Sequence, residues 1–498
     1  MSDGILKYRA VLFILVSLVA LIAMGAGAAA HGIAAGRMTY AWLLLELCLA
    51  PVLLMRSFSG RYALLLVFML LYFTRFAGLD TQAIGIGEAV APARTGLFTA
   101  AEVAILLGAG LLGAGYVLAA RASGKVTQEP PADWNVPMTL VMGLVIWIVG
   151  SVAFVTMHVF LQTEKTNLSA AKALGALGEY GAFVVMLGFL MQPLGLLMLA
   201  YAYARSRTVV NAVLIVLVVA IQAAIGFVTD YKATAMSGLI IVFLVRILVD
   251  NRASKAWLGA LVGFVVFAFP VYQAYRLEVT GELGLNRLQA FNRLGHVLEV
   301  AWAARDKAQS SPADERPPTF IERSDLKGNI ELLMAHAGVD VPFLHGATLV
   351  DIPYAFVPRI VMPDKESVSA AQLFSRMIAH AGSDTFISIS HLGELYWNFG
   401  WLGLLLGMPA TGAFLGWVAG RFNFEHGASL TRVMVFMVTV NEQVILFEGE
   451  ISPAYVVWLR SAVAIWLLHQ IFARKVTRPA VRLDLPARQP VLFPNVLP

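Results

Sequence analysis

The chain has almost no cysteine. Cys48 is the single one in 498 residues. One thiol excludes a disulfide framework and any cysteine-built metal site, and it leaves the redox compartment unread. Charge is also scarce. Asp, Glu, Lys and Arg make up 13% of the residues, against about a quarter in soluble globular domains. So little charge cannot cover a water-facing surface, so the bilayer must be part of the solvent. The net charge of +5 is small and unevenly placed, which gives no case for nucleic acid. Internal repeats, low-complexity tracts and a Gly-rich phosphate loop are likewise missing.

Apolar residues fill the space: 59% of the chain, with a mean hydropathy of +0.75. Runs of about 17 or more apolar residues read as membrane-spanning helices. They lie near 10–30, 39–55, 62–79, 96–120, 136–159, 181–204, 208–228, 233–249, 256–275, 400–420, 432–448 and 454–473. The fold expected is an all-α polytopic membrane protein of about twelve transmembrane helices. The first run is preceded by Lys7 and Arg9 and closed by Ala28-Ala29-Ala30, as in a secretion signal, but its length argues for a retained helix. Four regions follow: 1–275 with nine spans, 276–399 as one large loop, 400–473 with three spans, and 474–498 as a basic tail.

Lys and Arg choose the orientation. With a cytoplasmic N-terminus, the inside loops are 56–61, 121–135, 205–207, 250–255 and 421–432, nearly all biased to Lys and Arg. The tail adds Arg474, Lys475, Arg478, Arg482 and Arg488, whereas an outside loop such as Glu448-Gly449-Glu450 is acidic. This positive-inside pattern places both termini in the cytoplasm and 276–399 outside. That loop holds eleven Lys or Arg against fifteen Asp or Glu. Leu285, Leu288, Phe291, Leu294, Leu298 and Trp302 recur at helical spacing, as do Leu326, Ile330, Leu333 and Met334, and then Leu373, Phe374 and Ile378. They predict amphipathic helices on the membrane surface or over a cavity, with a breaker-rich linker at 310–318.

Ionisable residues within spans are costly and mark function by default. Arg75, Glu102, Asp230, Lys232, Arg276, Glu442 and Glu448 all fall towards the outer leaflet. Individually each reads as an interfacial anchor; their common depth points to an outer-leaflet cavity. In the loop, LHGATLVDIPYAFVPRIVMPDK (344–365) sets Arg359 and Lys365 among prolines, which suits an anion held at the membrane surface. RMIAHAGSDTFISISHLGELYWNFGWLG (376–403) gathers His380, Asp384, His391, Glu394, Tyr396 and Asn398 before a span. Aromatic rings with carboxylates suit a sugar, although Tyr396 and Trp397 also fit an interfacial aromatic belt. His380 and His391 are eleven apart, which is no helix-face metal spacing.

FVPRIVMPDK followed by GELYWNFGWLG resembles the Wzy-type O-antigen and oligosaccharide repeat-unit polymerases. In that family a Pro-Arg step, a downstream Pro-x-Lys and a Gly-Glu before a Gly-rich helix start recur; here they are Pro358-Arg359, Pro363-Asp364-Lys365 and Gly393-Glu394. The many spans with one dominant periplasmic loop are similar too. The resemblance implies a membrane glycosyltransferase of the bacterial inner membrane with a GT-C-like fold. Such an enzyme joins polyprenyl-pyrophosphate-linked oligosaccharide repeats into a surface polysaccharide, without a metal or other cofactor. Membrane lipid, a flippase and a chain-length regulator are the partners it implies. A pyrophosphate leaving group needs cations, for which Arg276, Arg323, Arg359 and Lys365 are candidates, with Lys232 and Arg75 behind them. The acceptor hydroxyl needs a base: Glu394 first, then Asp384 and His391, with Tyr396 as a stacking surface.

O-antigen ligase is the nearest alternative, but its loop carries an Arg with Leu four residues on and a His with Gly eleven residues on. His391 is followed by Gly400 and Gly403 instead. The first outer loop, HGIAAGRMTY, lacks the acidic residues of membrane mannosyltransferases. From other classes, a lipid-linked sugar transporter or flippase fits the number of spans, and a structural assembly protein would tolerate loss of Arg359 and Glu394 together.

Overall fold

The computed structural model describes residues 9–31, 33–54, 62–86, 98–123, 134–156, 179–229, 232–250, 255–264, 325–350, 352–354, 368–380, 386–421 and 429–473, with the single positions 295, 299 and 357. Among these the protein is helical, with one isolated bridge between Ala337 and Val341 in place of any sheet. The helices are α1 (Arg9–His31), α2 (Ala35–Leu49), α3 (Ala63–Ile86), α4 (Ala100–Ala122), α5 (Val136–Val155), α6 (Glu179–Arg205), α7 (Val209–Val228), α8 (Lys232–Asp250), α9 (Lys255–Gly263), α10 (Lys327–His336), α11 (Ala370–Met377), α12 (Ser390–Arg421), α13 (Leu430–Thr439) and α14 (Ile451–Phe472).

Nine helical stretches of the described residues are long and apolar enough to cross a membrane, so the chain is an all-helical multi-pass membrane protein. The run expected near 233–249 is a shorter apolar helix, Thr234–Val249, and the run near 256–275 is described only across α9. Val213, Val216 and Leu217 of α7 and Ile14, Val19 and Ile22 of α1 stand exposed. That is the reverse of a soluble surface and fits contact with lipid.

In a bilayer, helices associate by close van der Waals packing, which small residues permit. The seam between α4 and α12 is built this way. A methyl group at Gly412 would lie 2.0 Å from the Leu112 carbonyl oxygen, one at Gly416 2.2 Å from that of Tyr116, and one at Gly115 2.1 Å from that of Pro409. The order of these contacts makes α4 and α12 parallel, so their N-terminal ends share one end of the bundle. The contacts of Gly143 with Met198 and Gly150 with Gln192 run in opposite order, so α5 and α6 are antiparallel. Two cores result. One joins α2, α3, α4 and α12 along its length to α10 and α11; the other joins α5 to α8 with α13 and α14.

α12 is broken at Gly400, whose φ of +61° is open to glycine and strained for other residues. Eight residues along a straight helix span about 12 Å, yet a methyl at Gly403 would meet the Leu395 carbonyl oxygen at 2.0 Å. Residues 390–399 therefore fold back on 401–407, and the helix beyond the break, 401–421, covers the run expected at 400–420. Helix formation nevertheless begins at Ser390, inside the stretch read as loop. His391, Glu394 and Asn398 interrupt the apolar run there because they face inward and are buried.

Candidate functional site

Residues 325–350 and 368–380 dock on the end of the bundle where α4 and α12 begin. The Leu326 N–H donates to the Arg75 carbonyl at 2.9 Å, and Asn329 Nδ2 donates to the Ser388 carbonyl at 2.8 Å. Ile330 and Leu333 of α10 press on Gly393, where a methyl would lie 2.8 Å and 3.3 Å from them. Polar side chains collect under this cover in two groups.

The first group is a balanced set of buried charges. The Lys327 ammonium pairs with Asp80 and, at 3.4 Å, with Glu102. Arg37 Nε stands 4.0 Å from Asp80, and the ammonium lies 5.0 Å from the centre of the Tyr40 ring. Glu102 also closes a capping box: its carboxylate accepts the Thr99 N–H at 3.0 Å, and the Thr99 hydroxyl accepts the Glu102 N–H at 3.2 Å. Two cations thus face two anions from four separate elements. Sequence reading names Glu102 but misses Arg37, Asp80 and Lys327, whose pairings span up to 247 residues. One local signal exists. A lysine in the first turn of a helix opposes the helix dipole, as expected only of a side chain held elsewhere.

Asp325 adjoins this group. Burial pushes its carboxyl up to about 6, with Asp80 adding to the rise, while Lys327 and the Gly328 and Lys327 amides oppose it. A carboxyl raised in the folded state favours folding below its unfolded value near 4, and that contribution is lost as pH rises through about 6. The melting temperature is therefore expected to fall between about pH 4 and 6.5. Asp325→Asn should flatten this part of the profile, and an unchanged slope would remove Asp325 as its cause.

The second group lies where α12 meets the approach to α14. Glu394 is 1% exposed. Its Oε2 accepts the Ile451 N–H at 2.7 Å, while Oε1 has no hydrogen bond and the Thr348 hydroxyl stands beside the carboxylate. Asn398, one turn on, donates to the Glu394 carbonyl and the Thr348 hydroxyl, both at 2.8 Å, and accepts the Gly346 N–H at 2.8 Å. The Ser452 hydroxyl donates to the Thr348 carbonyl. His391 is fully buried. Its ring lies tilted against Phe447, with centroids 4.8 Å apart, and faces the Glu450 main chain without either nitrogen closing a well-aligned hydrogen bond. A buried polar group left unpaired costs about 1–3 kcal/mol, so such atoms call for a functional reason. Arg75 pairs with Glu448 and donates through Nη2 to the Ile445 carbonyl at 3.1 Å. The Glu450 carboxylate caps α11, accepting from the Ser369 hydroxyl at 2.5 Å and the Ala371 N–H at 2.7 Å. Burial raises its pKa, and these two bonds oppose the rise.

Among the described residues, three non-glycine residues hold φ above zero: His345 (49°), His380 (49°) and Ser390 (63°). Each such conformation costs of order 1–3 kcal/mol and is kept only where its surroundings fix it. Two of the three flank the second group. His345 donates its N–H to the Asn398 carbonyl, and Ser390 precedes His391.

Of the expected site residues, Glu394 and His391 come together on one face of 390–399, with Arg75 across the segment that ends in Glu448. Tyr396 lies beside them in sequence but packs edge-on against Phe343 and Trp401, with centroids 6.1 Å and 5.9 Å away. Lys232 opens α8, and its side chain is outside the described residues. Asp384, Arg276, Arg323, Arg359 and Lys365 are also outside them. Comparison of the chain with family models, curated proteins and solved structures gives no match.

Proposed function

We propose that the chain is a glycosyltransferase of the bacterial inner membrane. It joins polyprenyl-pyrophosphate-linked oligosaccharide repeats into a surface polysaccharide on the periplasmic side. This reading includes twelve spans in a GT-C-like arrangement, cytoplasmic termini and a periplasmic loop. The observation that carries it is Glu394: a buried carboxylate with one oxygen anchored by the Ile451 N–H, the other facing the Thr348 hydroxyl, and a buried imidazole one turn away. A base must be held in place and yet keep a lone pair for the reacting proton. In the proposed step the acceptor hydroxyl oxygen bonds to the anomeric carbon of the growing chain. The bond from that carbon to pyrophosphate breaks, and the pyrophosphate keeps the electron pair. Glu394 takes the hydroxyl proton, directly or by way of His391. Arg75 sits on the same end of the bundle, where a lipid-borne pyrophosphate would lie. The resemblance adds Arg276, Arg323, Arg359 and Lys365 to the cations and Asp384 to the acids.

The test is the polysaccharide banding profile of a deletion strain carrying wild type, Glu394→Gln or Arg359→Ala, with membrane levels matched. Gln keeps the oxygen that accepts the Ile451 N–H and loses the base. Elongation is expected to fall by about 10²–10⁴-fold, leaving one repeat in place of a ladder. A full ladder from Glu394→Gln would refute the assignment. Loss of even the single repeat on deletion would favour a ligase or a flippase.

A further inference from the structure

Helix α13 does not run smoothly into the approach to α14. After Thr439 it becomes a π-helical turn, Val440–Val444, then a 3-10 turn, Ile445–Glu448, with Leu446 at φ −86° and ψ 15°. Gly449 is extended. Such transitions in mid-helix often mark hinges. The flanks are anchored, α13 in the second core and Glu450 and Ile451 by the bonds to α11 and Glu394. Between them, among the described residues, 445–449 is held by Arg75, through its bond to the Ile445 carbonyl and its pair with Glu448, and by the Phe447 ring. That ring lies 4.9 Å from Phe68, 5.7 Å from Tyr72 and 4.8 Å from His391.

We propose that residues 445–449 form a lid over His391 and Glu394, closed by Glu448 on Arg75 and opened when a phosphate group takes the place of Glu448. The idea rests on the function proposed above and accounts for a base that is enclosed at rest. The Arg75 side chain is 11% exposed and that of Glu448 36%, so the cation is the fixed floor and the carboxylate the exchangeable partner. Phosphate offers more charge and more acceptor oxygens to the guanidinium than a carboxylate does. Phe447 adjoins Glu448 in the chain, so release of Glu448 frees the ring that covers His391. A donor bearing pyrophosphate would thus uncover the base as it binds, and water would be kept from the site until then.

Hydrogen exchange of the full-length protein in phosphatidylcholine nanodiscs tests this. Glu448→Gln should speed exchange of the 445–451 amides by roughly fivefold and leave α4 unchanged. Inorganic pyrophosphate should do the same to wild type and nothing to Arg75→Ala. Opening by phosphatidylglycerol nanodiscs alone would also support the lid and name a lipid headgroup as its ligand. Unchanged exchange in Glu448→Gln and with both phosphate sources would overturn it. The function above fails separately, by a full ladder from Glu394→Gln in a protein whose lid opens.

Discussion

Gly412→Val prevents accumulation of the folded protein, whereas Gly110→Ala on the neighbouring helix is harmless: this is the largest contrast expected. The first glycine faces a carbonyl oxygen at 2.0 Å from where a Cβ would stand, and the second has nothing within 4 Å. The obstacle at Gly412 is main chain on a packed helix and cannot rotate away as a side chain can. Overpacking a tight core typically costs about 1–3 kcal/mol, and forcing two backbones apart along this seam should lie at or above the top of that range. Gly412→Ala should lower the melting temperature in detergent, and Gly412→Val should remove the folded species from membranes. Gly110→Ala should be neutral or slightly stabilising, since alanine is the better helix former by about 0.5–1 kcal/mol. If Gly412→Val accumulates and melts like wild type, α4 and α12 are not in contact through these glycines.

The second large effect is expected at Lys327. Lys327→Met leaves the Asp80 and Glu102 carboxylates buried without their central cation. Breaking one side of a buried ion pair costs about 3–5 kcal/mol. Arg37 and the Thr99 cap still serve the two acids, so the bundle should survive. The loss should concentrate on α10, whose attachment runs through Lys327, the Leu326 N–H, the Asn329 amide and the contacts on Gly393. Exchange protection across 327–336 should collapse while that of α5 and α6 persists. Adding Asp80→Asn to Lys327→Met should recover much of the loss, because it removes an uncompensated charge. Full protection of α10 in the single variant would mean that its apolar contacts alone hold it down.

The parts of the fold governed by local chemistry were legible in the sequence. Spanning helices such as α4, α5 and α14 follow from long apolar runs, and the break at Gly400 coincides with the expected start of a span. The helix at 390–399 was hidden because burial there serves His391, Glu394 and Asn398 as well as apolar side chains. Hydropathy cannot register a polar residue turned inward. The site was half legible. The expected common depth of Arg75, Glu102 and Glu448 suggested one cavity, but the structure divides them: Arg75 belongs with Glu448, and Glu102 with Lys327. Which charge meets which is decided by helix packing over hundreds of residues. No spacing in the sequence carries that information.

The parallel seam has a consequence for biogenesis. α4 is complete at Ala122, and its partner starts at residue 401. Nearly three hundred residues must be translated in between, which at ~5–20 residues per second is roughly 15–60 s. Throughout that interval the glycine face of α4 is in the membrane without the helix that fits it. Lipid or an insertion factor must occupy the groove and later yield it. A ribosome that stalls before residue 400 leaves a chain whose first half is inserted but unsealed, and this open groove is a mark by which a membrane protease could tell an unfinished copy from a finished one.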